Sequence, residues 1–140
     1  MEKEVVQTWQ FQQSPRDVWQ YLTQPELIAQ WLMTNDFKPV VGHRFQFASK
    51  EKVDAYCEVL EVVPQKRLSY RWRKGKGEDE IRVDSVVTWT LSGKNGGTEL
   101  LLEHRGFTTG EDAEAHSKGW DYCLNRMTER INSFYASGTF

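Results

Sequence analysis

Cysteine is scarce in this 140-residue chain: only Cys57 and Cys123 occur, far apart and outside any C-x-x-C or Cys/His cluster. Neither a zinc site nor a disulfide framework is indicated, and the two thiols read as ordinary buried side chains. Long apolar runs are missing as well. No stretch approaches the roughly 18 apolar residues of a membrane-spanning helix, and the start, MEKEVVQTWQF, lacks the apolar segment of a secretion signal. No membrane insertion is expected, and the cytoplasm is the expected compartment. Neither sign of charge dominates: Lys plus Arg number 18 and Asp plus Glu 20, for a net charge of −2. No nucleic-acid or polyanionic partner is implied. With four prolines, and without repeat, low-complexity tract or Pro/Gly/Ser linker, nothing divides the chain. Aromatic rings, by contrast, are plentiful, at 13% of residues with six Trp. That is too apolar for disorder, and the length suits one domain over residues 1–140 with one core. No cofactor or metal is implied.

The order of elements is the main clue to architecture. Val5, Trp9 and Phe11 alternate with Val6, Thr8 and Gln10, which predicts a first strand ending near Gln12. Ser14-Pro15-Arg16-Asp17 offers an N-cap, proline at the first helical position and an acid at the third, so a helix should run to about Leu22. Thr23-Gln24-Pro25-Glu26 repeats the signal ahead of Leu27, Ile28, Trp31 and Leu32 at helical spacing. From Gly42 to Phe107 the period is two, broken at Pro64-Gln65, Gly75-Lys76-Gly77 and Lys94-Asn95-Gly96-Gly97. Five strands are predicted there: His43–Ala48, Val53–Val63, Lys66–Lys74, Ile81–Leu91 and Thr98–Arg105. Thr109-Gly110-Glu111-Asp112 then caps a long helix whose apolar side is Ala113, His116, Trp120, Leu124, Met127, Ile131 and Phe134. At about 25 residues this helix would span about 37 Å, long enough to cross a sheet.

The segments SPRDVWQYLTQPELIAQWL, Gly42-x-x-Phe45-x-Phe47, VLEVVPQKRLSYRW, VTWTL, GGTELLLEHRGF and GWDYCLNRM, in that order, cover nearly the whole chain. Together they resemble the START-like, or helix-grip, superfamily and, within it, homologues of the activator of the heat-shock-protein-90 ATPase of the small single-domain bacterial type. The resemblance implies an α+β helix-grip fold: a curved six-stranded antiparallel sheet, ordered strand, two helices, five strands, helix, wrapped around the C-terminal helix with a central cavity. It also implies non-catalytic binding of a hydrophobic small molecule, aromatic or lipid-like, in that cavity. One alternative is a module that contacts the chaperone, heat-shock protein 90. Another is a cyclase or hydrolase-like enzyme using the same cavity. Fold alone does not decide among them.

The candidate site residues follow from alternation. Phe47, Tyr70, Trp72 and Trp89 share the inner face, Leu102 and His104 alternate inward beside them, and Trp120 and Leu124 lie on the facing helix. Cavity lining and ordinary core packing suit each ring equally. His104 would offer an imidazole to a ligand oxygen or be satisfied within the core; His116, one turn before Trp120, would guard the cavity mouth or face solvent. Ser85, in phase with Val87 and Trp89, is a small polar group expected inside. It is a nucleophile only if a histidine and an orienting carboxylate stand behind it. Tyr56 and Tyr70 are phenolic acids for a cyclase-like site, without an evident inward carboxylate pair. Arg67, Arg71 and Arg73 form a basic stripe on the outer face, either a docking surface for an acidic protein or half of a set of cross-strand charge pairs.

Overall fold

The computed structural model describes residues 3–136. Its elements are β1 (Glu4–Phe11), α1 (Pro15–Thr23), α2 (Pro25–Trp31), β2 (Thr34–Asn35), β3 (Arg44–Ser49), β4 (Lys52–Val63), β5 (Arg67–Gly77), β6 (Glu80–Lys94), β7 (Gly97–Arg105) and α3 (Gly110–Ala136). One curled antiparallel sheet takes all of the strands in the order β1-β7-β6-β5-β4-β3-β2, with α3 packed on β1 and α2. This is the α+β helix-grip architecture, with seven strands rather than six. The extra one, β2, pairs Thr34 with Ala48 and Asn35 with Phe47. Two residues are too few to display alternation, so it leaves no mark in the sequence.

Local chemistry accounts for the element ends. The Ser14 hydroxyl accepts the Asp17 amide hydrogen at 3.3 Å, with Pro15 opening α1, and Thr109 caps α3 by accepting the Asp112 amide at 3.1 Å. Thr23 does not repeat this role. Its hydroxyl bonds back to the Trp19 carbonyl at 2.8 Å, and Gln24 caps α2 without a side-chain bond. Proline alone, with its preset φ, marks that start. The turn expected at Gly75-Lys76-Gly77 is also displaced: β5 runs through it with register shifts, and Glu78 and Asp79 make the turn. Another register shift, between Val59 and Glu61 on β4, leaves Leu60 unpaired and exposed. Such insertions bend a strand and increase its twist, which the curl of the sheet requires.

The inner face is continuous across three strands. Leu68, Tyr70 and Trp72 on β5, Val83, Ser85, Val87, Trp89 and Leu91 on β6, and Leu100, Leu102 and His104 on β7 are all buried. Register sets Trp72 opposite Ser85, and Trp89 between Leu68 and Leu102. Ala113, Trp120, Leu124, Met127 and Ile131 of α3 close over this face. Phe134, expected with them, is 53% exposed. At 100° per residue it shares a helical flank with His116, roughly 50° from the centre of the buried stripe.

The β6–β7 hairpin turns on Asn95 and Gly96, whose φ values of 54° and 82° match a two-residue turn with both central residues left-handed. Beside it, a Cβ on Gly97 would run into the carbonyl oxygen of Phe11 at the end of β1. Gly97→Ala is therefore expected to cost about 1–3 kcal/mol through forced backbone displacement. A urea-unfolding midpoint equal to that of the parent would show instead that the end of β1 yields freely.

Candidate functional site

At the centre of the inner face, β5, β6, β7 and α3 converge on His104, which is 0% exposed. Trp120 Nε1–H donates to His104 Nδ1 at 3.0 Å, so Nδ1 carries the lone pair and Nε2 the proton. Nε2 lies 2.8 Å from the Ser85 hydroxyl, which in turn donates to the Trp72 carbonyl at 2.8 Å. Every polar atom of this chain of bonds is satisfied, and the imidazole is held neutral. Burial above all, with repulsion from His116 and Lys74, pushes its pKa down to about 2.

A serine beside a histidine invites a nucleophile reading, and the bonding is the reverse of what that chemistry needs. A general base must present a lone pair to the hydroxyl, whereas His104 presents its N–H. An indole, not a carboxylate, occupies its other nitrogen. The pair is a structural clasp tying β6 and β7 to α3. Tyr70 is similarly engaged, its hydroxyl accepting Trp89 Nε1–H at 3.0 Å while burial raises its pKa. Tyr56 alternates with buried Ala55 and Cys57 and belongs to the outer face.

Next to the clasp lies a cavity of about 170 Å³ between β5 and α3. Leu32, Met33, Trp72, Trp120 and Cys123 supply its apolar wall, Ala115 and Gly119 a low stretch of the helix, and Asp54, Lys74 and His116 its polar groups. The Trp72 and Trp120 rings are 5.4 Å apart, tilted by 52°. Asp54 and Lys74 pair with each other at 3.4 Å. His116 Nδ1 donates to the Asp112 carbonyl at 2.8 Å, and its pKa is lowered, mainly by burial. Burial pushes the Cys123 thiol up to about 11, so it stays protonated at neutral pH.

The chain matches the family model "Activator of Hsp90 ATPase homolog 1-like protein" over residues 12–132. It belongs to this family. Protein MLL2253 from Mesorhizobium loti is similar at 38% identity and a TM-score of 0.84, over 92% of this chain and 96% of that one. CalU16 from Micromonospora echinospora shares the fold at 22% identity and a TM-score of 0.79, over 96% of this chain and 79% of that one. The Aha1 dimer from Colwellia psychrerythraea does so at 17% identity and a TM-score of 0.77, over 91% and 95% of the two chains. No curated protein sequence matches the chain.

Within this family fold, the ten inward candidates divide into two groups. Trp72, His116 and Trp120 line the cavity. Phe47, Tyr70, Ser85, Trp89, Leu102, His104 and Leu124 are buried in the packed wall behind it and do not line it. Reading the sequence missed Leu32, Met33, Asp54, Lys74, Ala115, Gly119 and Cys123. One signal was present: Ala115 and Gly119 are small residues four apart, alongside His116, Trp120 and Cys123, which marks a shallow stretch of helix surface. The outer cations are spoken for, with Arg67 bonded to Glu61 at 2.7 Å, Arg71 to Asp84 at 2.8 Å and Arg73 within 3.8 Å of Glu78. Among the described residues no helix is long and apolar enough to cross a membrane.

Proposed function

We propose that this protein is a non-catalytic binder of a small hydrophobic molecule, taken up in the cavity between β5 and α3. The supporting observation is the cavity itself: about 170 Å³ walled by two indoles, a leucine, a methionine and a thiol, beside a core whose other large rings are tightly engaged. Transfer of apolar ligand surface from water, worth about 25 cal/mol per Å², would drive uptake, with ring contacts to Trp72 and Trp120 adding to it. Catalysis is not part of the reading, because the buried histidine and serine are already bonded to each other and to the backbone. The three arginines of β5 offer less to a chaperone than their number implies, since each has an acidic neighbour.

Titration with toluene, followed by tryptophan fluorescence, tests the proposal. Saturable one-to-one quenching is expected, reduced at least tenfold in Gly119→Leu. At Gly119 an added Cβ meets nothing within 4 Å, so that side chain obstructs the cavity without disturbing the core. A linear, non-saturating response in the parent protein would sink the cavity reading.

A further inference from the structure

Resting on the cavity reading just given, we infer the chemical class of the occupant: a molecule with an apolar tail and a zwitterionic head, as in an α-amino acid with a large apolar side chain. Lys74 takes its carboxylate and Asp54 its ammonium group, while the tail lies against Trp72 and Trp120.

Strand geometry puts both charges on the cavity wall. Lys74 continues the inward row of Leu68, Tyr70 and Trp72 by the two-residue period of β5, and its partner across the ladder is buried Val83. Asp54 arrives by another route. Ala48 pairs with Val53 and Phe47 with Ala55, so Asp54 is the extra residue of a bulge, a device that re-aims a side chain. Alternation from buried Ala55 would by itself turn Asp54 outward, yet it lines the cavity with Lys74. Covering charged groups with an occupant that offers them no partner costs free energy. An ion pair in this wall therefore calls for a polar end on whatever binds beside it.

The state of the pair sets the chemistry of that end. Lys74 Nζ and Asp54 Oδ2 are 3.4 Å apart, longer than the roughly 2.7–2.9 Å of a charge-assisted hydrogen bond. Among the described residues neither side chain makes a hydrogen bond. Lys74 is 30% and Asp54 36% exposed, so both charges are open to an incoming group. A lone carboxylate would meet the Asp54 charge along with that of Lys74, and a lone ammonium group the reverse. A head carrying both signs answers both residues.

The surroundings do not tip this balance. Asp54 and Lys74 also line a wider, open groove whose other charged residues are Glu51, Lys52, Lys76, Glu80 and Arg82. Arg82 is bound through Nη1 to both carboxylate oxygens of Asp112, and the two lysines are matched by the two glutamates. On the cavity side, burial favours the uncharged form of His116. Neither an anion nor a cation is selected by excess charge.

Calorimetric titration of the intact protein at pH 7.5 with L-phenylalanine, phenylacetate, phenethylamine and toluene tests this, since the four share a ring and differ in the head. Phenylalanine is expected to bind at least tenfold more tightly than each of the others. Lys74→Met should weaken phenylalanine and phenylacetate and leave phenethylamine unchanged. Asp54→Asn should weaken phenylalanine and phenethylamine and leave phenylacetate no weaker. Equal affinities of the parent protein for all four probes would overturn the zwitterion inference while leaving the cavity reading intact. Tightest binding of phenylacetate, phenethylamine or toluene would overturn it in favour of that head. Uniform weakening of every probe in both variants would overturn the recognition role of the pair. If no probe binds, both readings fail. The series in the parent protein decides the main point even if a variant does not fold.

Discussion

Lowering the pH from 6.5 towards 4.5 is expected to destabilise the fold with a slope approaching one proton per molecule, and His104→Gln should remove most of that slope. In the unfolded chain a histidine titrates near pH 6.5. In the folded protein His104 is fully buried, its Nδ1 is occupied by the Trp120 N–H, and its pKa is pushed down to about 2 by burial, with His116 and Lys74 adding like-charge repulsion. Between those two values the unfolded state holds the extra proton and the folded state does not. Stability is therefore fully present above pH 6.5 and is lost as the pH falls, by up to about 1.4 kcal/mol per unit. His116, also lowered mainly by burial, adds a smaller part in the same direction near the top of the window. The acids lowered in the fold, Glu99 and Asp112, contribute mostly beneath it. Glutamine suits the test because its amide oxygen accepts from Trp120 and its amide nitrogen donates to Ser85. Urea unfolding at pH 7.5, 6.0 and 5.0 gives the slope, and an equal slope in parent and variant would show that His104 is not its source.

Trp120→Ala should be the most damaging substitution on α3, at about 3–5 kcal/mol. The indole contacts Trp72 and Trp89 at centroid distances of 5.4 Å each and His104 at 5.9 Å, and it donates the bond that sets the tautomer of His104. Truncation opens a void in the centre of the sheet–helix interface and leaves Nδ1 without a donor. Trp120→Phe separates the two effects, keeping most of the volume and losing only the bond, for about 1–3 kcal/mol. Tyr122→Ala, two residues along and 65% exposed, should change stability by less than about 0.5 kcal/mol. Since domains of this kind have about 5–15 kcal/mol in total, Trp120→Ala approaches the margin of folding. A measured loss below about 1 kcal/mol would mean that α3 is held elsewhere along its length.

Element order was legible because each element carries a local signal. Ser14 and Thr109 mark helix starts by accepting backbone amide hydrogens, and Pro15 does so through its preset φ. Alternation on β5, β6 and β7 turns Trp72, Ser85, Trp89 and His104 inward by the period of the backbone alone. Irregularities were not legible. The continuation of β5 through Gly75 and Gly77, and the slip at Leu60, depend on how a neighbouring strand meets them. The expected cap at Thr23 failed because its hydroxyl found the Trp19 carbonyl one turn back, an equally local bond that the sequence does not distinguish from a cap.

By itself, the sequence determined that Trp72, Ser85, Trp89 and His104 face inward and therefore that aromatic rings, a serine and a histidine share one interior. Tertiary structure decided what they do there. His104 and Ser85 are 19 positions apart, and His104 and Trp120 are 16 apart. Only strand register and the seating of α3 place a donor on Nδ1 and so make the pair a clasp instead of a base and its nucleophile. The same seating brings Ala115, Gly119 and Trp72 to the wall of one cavity and leaves it there, away from Tyr70 and Trp89. Period specifies a face, but a void is the difference between facing surfaces, and no single element carries it.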